Sequence, residues 1–593
     1  MKVEQTEMLG QAWSDVVEAF GGDEAQAEAE VIERWQAIKR VNPQATREEV
    51  LKRLAWELKP RPIEHVFPGD NWTFMVKAAQ SKAHILLLDL EDAVATTRKD
   101  VARKVMVLLI KAFRGQGLTK DDLAFLKAHA LPEGRAAQLE QHFIQMGEQF
   151  QLRSEYRFPD EQMILIRPNN LRTKWAAGDY AEVVRAIGDL IDGIYIPKVY
   201  GPDDVLVTTQ LLRALQEEQG WVVGQHKIFV LTELPSAVLS VEQILAVAPE
   251  VEEAQLGIVD YTAATGGRSI VQQEPFTYMR YPLLRIVEAA RATGKVAGIG
   301  ITIKLNAEET AADTLRAIAL GFHRKWSVHP AHIDGIAQYA DRFPQVVRKR
   351  LVYPRIEPFD LERLKRLAQE EKPILPPKVF IPRPVILARS AVEVEGDDVN
   401  ALRMALTSAA DMIIVNVERI LRPQHHNVQR QLAEILGQAD RPRKVIAFQV
   451  DLHQADQGFL NLVRMLRDGV QAVILSSVEH PAAVRHADGW LSAVEREVGL
   501  PVGSIALGAR LSKPETVERE SFAIATASRR MTWLFLDLPR GLPKEDPSDP
   551  TTKGFYYYHS ALIAAAAAST AWACSCIGYA DAASQLAEAQ VMV

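Results

Sequence analysis

Cysteine is nearly missing from these 593 residues: only Cys574 and Cys576 occur, one residue apart. That excludes a disulfide framework and a cysteine-based zinc finger, and it suits a reducing cytoplasm. An excess of basic charge is missing too. The formal net charge of −7 is spread along the chain, so nucleic acid is not expected as a partner. The segment from Met1 to Gln11 is polar and acidic with no apolar stretch, so no secretory signal is expected. Only Ser560–Ala580 runs long without a charge, and its Ala and Ser content favours a tightly packed helix followed by a buried strand over a membrane span. With 48% hydrophobic and 24% charged residues, disordered, collagen-like and coiled-coil classes are excluded. The length calls for roughly two to four domains.

Residues 1–60 read as helices, with Trp35, Ile38, Val41, Leu51, Leu54 and Leu58 near a 3.6-residue period. From Pro62 on, short apolar runs alternate with helix-length segments. The runs are Ile63–Gly69, Ile85–Glu91, Met163–Pro168, Gly193–Val199, Lys227–Leu234, Ala254–Tyr261, Val296–Ile303 and Lys325–Pro330. Such alternation predicts an α/β fold, a (β/α)8 TIM barrel over residues 61–348 with a helical insertion at 101–153. Residues 349–377 form a Pro-rich bridge. Alternation then resumes at 378–593 with Val379–Ala388, Asp411–Glu418, Lys444–Asp451, Ala472–Glu479, Gly503–Leu511 and Met531–Pro539.

The second half reads as a divergent copy of the first. Glu233 aligns with Arg510, Asp260 with Asp537, Ile286 with Ile563 and Thr293 with Thr570, all at one constant spacing. Arg167 aligns with Gln449 and Asp89 with Asn416 at wider spacings, and most of the difference falls on Val101–Arg153. A second, degenerate TIM-like barrel is therefore expected, incomplete because no eighth strand is found.

Polar residues close several of the first-half runs, where a barrel places its chemistry. LLLDLEDAV supplies Asp89, Glu91 and Asp92; ILIRPNN supplies Arg167 and Asn169; FVLTELPSAV supplies Glu233; LGIVDYTAATGG supplies Asp260. An acid in an apolar strand pattern is costly unless paired or bound to a cation. Carboxylates without His or Cys beside them favour Mg2+ over zinc, leaving water positions open for a chelating substrate such as a 2-oxo acid. Salt bridges within the mouth are the plainer alternative, with Arg167 pairing with Glu233 or Asp260.

The segments DLEDAV, IRPN, IPKV, TELPSA, GIVDY and HRKWSVHP, in that order, resemble the citrate lyase beta-subunit-like and malyl-CoA lyase superfamily over about residues 60–335, and more faintly over 378–593. TELPSAVLSVEQIL and GIVDY also resemble malate synthase. The resemblance implies Claisen or retro-Claisen chemistry on an acyl-CoA thioester and a 2-oxo acid, with Mg2+ (or Mn2+) held by Glu233 and Asp260. Arg167 then matches the arginine at the keto-acid oxygen and developing enolate, and Glu91 and Asp92 the acidic pair that orients metal-bound water. Arg61 and Lys77 match basic positions near the CoA phosphates. Asp581, in YADAASQLAEAQ, matches the malate synthase base, although the repeat equates it with Lys304. Lys198 in YIPKV also allows a Schiff-base reading, and His329 reads as a structural strand-end histidine.

In the second copy Arg167, Glu233, Asp92 and Lys198 are replaced by Gln449, Arg510, Arg419 and Ser477, while Glu418 and Asp537 keep their acids. Arg510 would repel a metal and could pair with Asp537, so that half is expected to carry no metal site. The expected activity is a Mg2+-dependent carbon–carbon lyase of the malyl-CoA or citramalyl-CoA type, in a cytoplasmic homo-oligomer without membrane or nucleic-acid partners. Malate synthase, with thioester hydrolysis after condensation, is the alternative, and a non-enzymatic scaffold built on the duplicated fold is another.

Overall fold

The computed structural model describes residues 2–131, 139–266, 279–353, 355–377, 390–408, 410–421, 423–436, 444–451, 469–537, 555–569 and 571–575. They fall into two compact units that divide near residue 378, apart from a few residues between 264 and 281 that belong with the second. Among the described residues no helix is long and apolar enough to cross a membrane.

The first unit begins with helices α1 (Lys2–Ala19), α2 (Glu24–Val41) and α3 (Arg47–Leu58). Local chemistry fixes where they start. The Asp23 carboxylate accepts the Gln26 N–H ahead of α2, and Thr46 and Glu49 form a reciprocal capping box ahead of α3. The three pack through Val16, Phe20, Ala27, Val31, Leu54 and Ala55.

Eight parallel strands then close into a barrel: β1 (Ile63–Pro68), β2 (Ile85–Asp89), β5 (Met163–Arg167), β6 (Gly193–Ile196), β7 (Lys227–Thr232), β8 (Val251–Leu256), β9 (Val296–Ile299) and β10 (Arg324–Ser327). The antiparallel hairpin β3 (Phe143–Met146) and β4 (Gln149–Leu152) lies between β2 and β5. All eight expected runs hold a barrel strand. The sixth is shifted: β8 begins at Val251, and Ile258–Ala264 is a short helix rather than strand. The insertion also differs from the all-helical expectation. After helices Lys99–Phe113 and Lys120–His129 it closes with the β3–β4 hairpin, because Gly147 at φ +64° supplies the left-handed residue of a two-residue turn.

Large side chains fill the barrel: Val66, Leu87, Leu165, Tyr195, Phe229, Leu231 and Trp326. Buried among them, the Arg324 guanidinium lies 2.8 Å from Glu253 and 3.5 Å from Glu64. Burial, only partly countered by Arg324, raises Glu64 to about 7.

The second unit holds seven parallel strands in chain order: β11 (Ala391–Glu395), β12 (Met412–Asn416), β13 (Val445–Asp451), β14 (Ala472–Ser476), β15 (Ala506–Leu511), β16 (Met531–Leu536) and β17 (Trp572–Ser575). Among the described residues the sheet is open. Its first strand is Ala391–Glu395; the run Val379–Ala388 lies outside the described residues. The charge-free stretch near the end gives helix Phe555–Ser569 and then β17. Two registers reveal the repeat. Asp89 pairs with Arg167 across β2 and β5, and Asn416 pairs with Gln449 across β12 and β13. Lys198 and Ser477 follow β6 and β14 with φ of +49° and +52°, the left-handed region that non-glycine residues seldom occupy.

The β6–β7 contact tolerates no side chain at Gly193, where a Cβ would lie 2.2 Å from the Lys227 carbonyl oxygen. Gly193→Ala is expected to lower stability by about 1–3 kcal/mol, read from urea unfolding. Gly489→Ala, in a helix with open space around it, should be neutral or slightly stabilising. Equal effects of the two would contradict the tight β6–β7 packing.

Candidate active site at the mouth of the first barrel

β2, β5, β6, β7 and β8 are consecutive around the barrel, so the residues ending them converge on one side of its C-terminal mouth. Arg167, 7% exposed, donates from Nε to Asp89 Oδ1 at 2.8 Å and from Nη2 to Oδ2 at 2.5 Å. Asp89 is fully buried and also accepts the Glu91 and Ala93 backbone N–H groups at 2.7 and 2.8 Å. Both of its oxygens are thus used twice, once on the arginine and once on the loop. The remaining edge of Arg167, Nη1, lies 3.6 Å from Glu91.

The loop after β2 is held from below as well. The Lys99 ammonium donates to the Leu90 and Glu91 carbonyls, and Asn169 donates to Leu90. Above it, Lys198 reaches Glu91 and Asp92, each at 2.8 Å, while its own backbone N–H donates to Glu233 at 2.7 Å. The left-handed turn at Lys198 makes this double role possible: main chain to one carboxylate, side chain to two others.

Five carboxylates, Asp89, Glu91, Asp92, Glu233 and Asp260, therefore share this region with three cations, Arg167, Lys198 and Lys99. Burial raises Glu91 to about 7, against Arg167 and Lys198. Glu233, 2% exposed, is held well above the usual carboxylate range by burial and by the charges of Glu91 and Asp260. Burial also works against Asp92, but the Lys198 ammonium outweighs it and lowers that carboxyl. Lys198 itself is pulled up, since Glu91 and Asp92 outweigh its burial. A Schiff-base lysine needs the opposite shift, so the Schiff-base reading is set aside.

Asp260 lies half-buried in the first turn of the helix that follows β8, not on the strand. Gly257 ends that strand, and a Cβ there would sit 2.6 Å from the Glu233 carboxylate. The missing side chain lets the β8 loop approach Glu233. The donor set suits a hard divalent cation: carboxylates outnumber cations, and Glu233 and Asp260 offer only oxygen donors. Among the described residues no three His, Cys, Asp or Glu side chains make a full ligand cluster. A cation at Glu233 and Asp260 would therefore keep water or substrate in its other positions.

Not every expected site residue arrives here. Arg61 precedes β1 and so lies at the opposite, N-terminal end of the barrel; buried, it donates to the carbonyls of Trp56, Glu57 and Lys59. Lys77 is exposed in the last turn of the helix Trp72–Ala79, which leads away from the mouth. Among the described residues, neither shares a hydrogen bond or ion pair with Arg167, Glu233 or Asp260. Asp581 lies outside the described residues. His329 Nδ1 accepts the Ala331 N–H, a helix cap. The sequence reading missed the role of Asp89: it stands as one acid among several, and only its register opposite Arg167 marks it as that residue's partner. Arg167 pairs with neither Glu233 nor Asp260.

Residues 152–330 match the HpcH/HpaI aldolase/citrate lyase family. That match lies within the first unit. A malyl-CoA/beta-methylmalyl-CoA/citramalyl-CoA lyase of Chloroflexus aurantiacus is 28% identical over 28% of this chain and 54% of its own length, so the chain spans about half of that relative. An L-malyl-CoA/beta-methylmalyl-CoA lyase of Rhodobacter capsulatus is 25% identical over 45% of this chain and 74% of its own. The citrate lyase subunit beta of Haemophilus influenzae is 24% identical over 45% and 75%. Among solved structures, CitE of Mycobacterium tuberculosis in complex with magnesium and acetate is 20% identical, with 48% of this chain and 91% of that chain covered and a TM-score of 0.32.

The mouth of the first barrel keeps a buried guanidinium, and this gives a stability test. Asp89→Ala leaves the Arg167 guanidinium without its carboxylate, and such a change typically costs about 3–5 kcal/mol. Urea unfolding of the purified variant should show that loss. A loss below about 1 kcal/mol would mean that Arg167 finds Glu91 instead.

Proposed function

We propose that the first barrel is a Mg2+-dependent carbon–carbon lyase of the malyl-CoA or citramalyl-CoA type, cleaving or forming the bond between an acyl-CoA and a 2-oxo acid. The observation that carries this reading is the Arg167 guanidinium, fixed by Asp89 with one edge left over, beside an acid-rich group that includes Glu233. Lyase relatives named for malyl-CoA and citramalyl-CoA support the substrate class.

Glu233 and Asp260 would hold the cation, which would supply Lewis acidity toward a 2-oxo acid. In the cleavage direction the hydroxyl proton leaves, its oxygen becomes the carbonyl of the 2-oxo acid, and the C–C bonding pair moves to the thioester α-carbon as an enolate. Protonation of that carbon completes the acyl-CoA. Arg167 donates from its free edge to the oxygen that carries the developing charge. A guanidinium suits the task because it keeps its charge and its planar fork. Glu91 and Asp92, tied to Lys198, orient water and the arginine from the side.

Free thiol and malyl-CoA, followed in a mixture of protein, Mg2+, acetyl-CoA and glyoxylate, provide the test. Malyl-CoA without thiol supports the lyase, thiol release makes the protein a synthase, and no turnover with any 2-oxo acid removes the enzymatic reading. Asp260→Ala should lose Mg2+ binding by calorimetry while keeping its circular dichroism spectrum. Arg167→Lys should fall about 10²–10³-fold in rate, since lysine keeps the charge and loses the fork. A variant within twofold of the parent would make Arg167 a structural residue.

A further inference from the structure

The N-terminal end of the first barrel, opposite the mouth, holds a second concentration of charge. A cavity of about 110 Å3 opens where α2 and α3, the starts of β7 to β9 and residues 348–353 meet. Four carboxylates line it, and each already has a cationic partner. Glu30 and Glu57 share Arg34, Glu57 also lies 3.3 Å from Lys227, Glu252 takes both arms of Arg348, and Glu33 takes Arg350. Six cations face those four acids. The two left over are Lys295 and Lys349, whose ammonium groups donate only to backbone carbonyls, of Pro249 at 3.1 Å and of Ala292 at 3.3 Å.

Lys295 is 7% exposed, sits one residue before β9, and carries no carboxylate partner among the described residues. A buried ammonium in this position is costly without a counter-charge. We infer that this cavity binds a small oxyanion of charge −2, of the sulfate or inorganic phosphate class, between Lys295 and Lys349. One such ion balances the surplus of two cations. It would also join the barrel floor to residues 348–353 under the N-terminal helices. The small volume suits a free ion, and competition with coenzyme A separates that ligand from the phosphate of a larger molecule.

Proton linkage follows from the surroundings of Lys295. Burial lowers it to about 7; Glu252 and Glu250 pull it up, while Arg348 and Lys227 push it down. Glu250 is tied to Arg213, and Tyr353, beneath the Lys295 ammonium, is raised to about 12 chiefly by burial and stays neutral. Arg34, Glu30 and Glu57 keep their charges throughout, since their mutual ion pairs outweigh burial, and Glu33 faces Arg350. Between pH 6 and pH 8 Lys295 is therefore the group whose protonation an anion must restore, and sulfate, whose own charge is constant there, reads it cleanly. An amine titrating near 7 makes the affinity about tenfold weaker at pH 8 than at pH 6, with about one proton taken up per sulfate at pH 8.

Isothermal titration of the full chain with sodium sulfate, at constant ionic strength and in two buffers of different ionisation enthalpy, tests this. Expected are saturable binding, the tenfold pH effect, and proton uptake at pH 8 only. Lys349→Ala, an exposed change that leaves the fold alone, should weaken binding at both pH values, and Lys295→Met should abolish it. Absence of binding by the parent, equal binding by Lys349→Ala, or affinity independent of pH would each overturn the assignment. Displacement of sulfate by coenzyme A would overturn the free-ion reading. The proposed lyase reaction plays no part in the measurement, so failure of either reading is seen separately.

Discussion

Arg167 and Asp89 stand opposite each other on neighbouring strands, and a buried guanidinium needs its carboxylate. Once the two meet, both oxygens of Asp89 are also taken by backbone N–H groups of the loop that follows. One ion pair thus sets the conformation of the segment bearing Glu91 and Asp92. Lys198 then bridges that segment to Glu233. Removing the arginine's partner would disturb every later contact, whereas the outer acids depend on it and not the reverse.

The second unit shows what the same scaffold does without that pair. Asn416 and Gln449 hold the registered positions of Asp89 and Arg167, and the Glu418 N–H still bonds to the Asn416 side chain at 3.2 Å. The loop geometry survives as a neutral copy. Arg510, where the first unit has Glu233, lies 2.7 Å from Glu393 and 3.6 Å from Asp537. A positive charge paired in this way works against a cation at that position, and the left-handed turn at Ser477 is kept with no lysine to use it. Backbone form has outlasted side-chain chemistry.

The two ends of the first barrel solve opposite electrostatic problems. At the mouth carboxylates outnumber cations, and burial pushes Glu91 and Glu233 up; at the floor cations outnumber acids, and burial pushes Lys295 down. Of the floor set, Lys227 and Glu252 lie on β7 and β8, the strands that lead to Glu233 and Asp260, with the apolar layer around Leu165, Tyr195 and Phe229 between the two ends. Parallel strands put every N-terminal residue at one end and every C-terminal residue at the other, so a single sheet can carry both signs without cancelling them.

Strand order, the barrel class, the duplication and the identity of most mouth residues were legible in the sequence. Apolar runs of strand length report burial directly, and an acid or arginine closing such a run is conspicuous. The β3–β4 hairpin escaped because its residues alternate weakly and are mostly exposed. Arg61 stands at the opposite end of the barrel from Arg167, because a residue that precedes a parallel strand is held at the N-terminal end. Tertiary structure alone decided that Arg167 pairs with Asp89 rather than with Glu233 or Asp260, since that choice depends on strand register. It alone decided, too, that Lys295 has no acid of its own among the described residues, because partnership between charges is settled by distances across elements far apart in the chain.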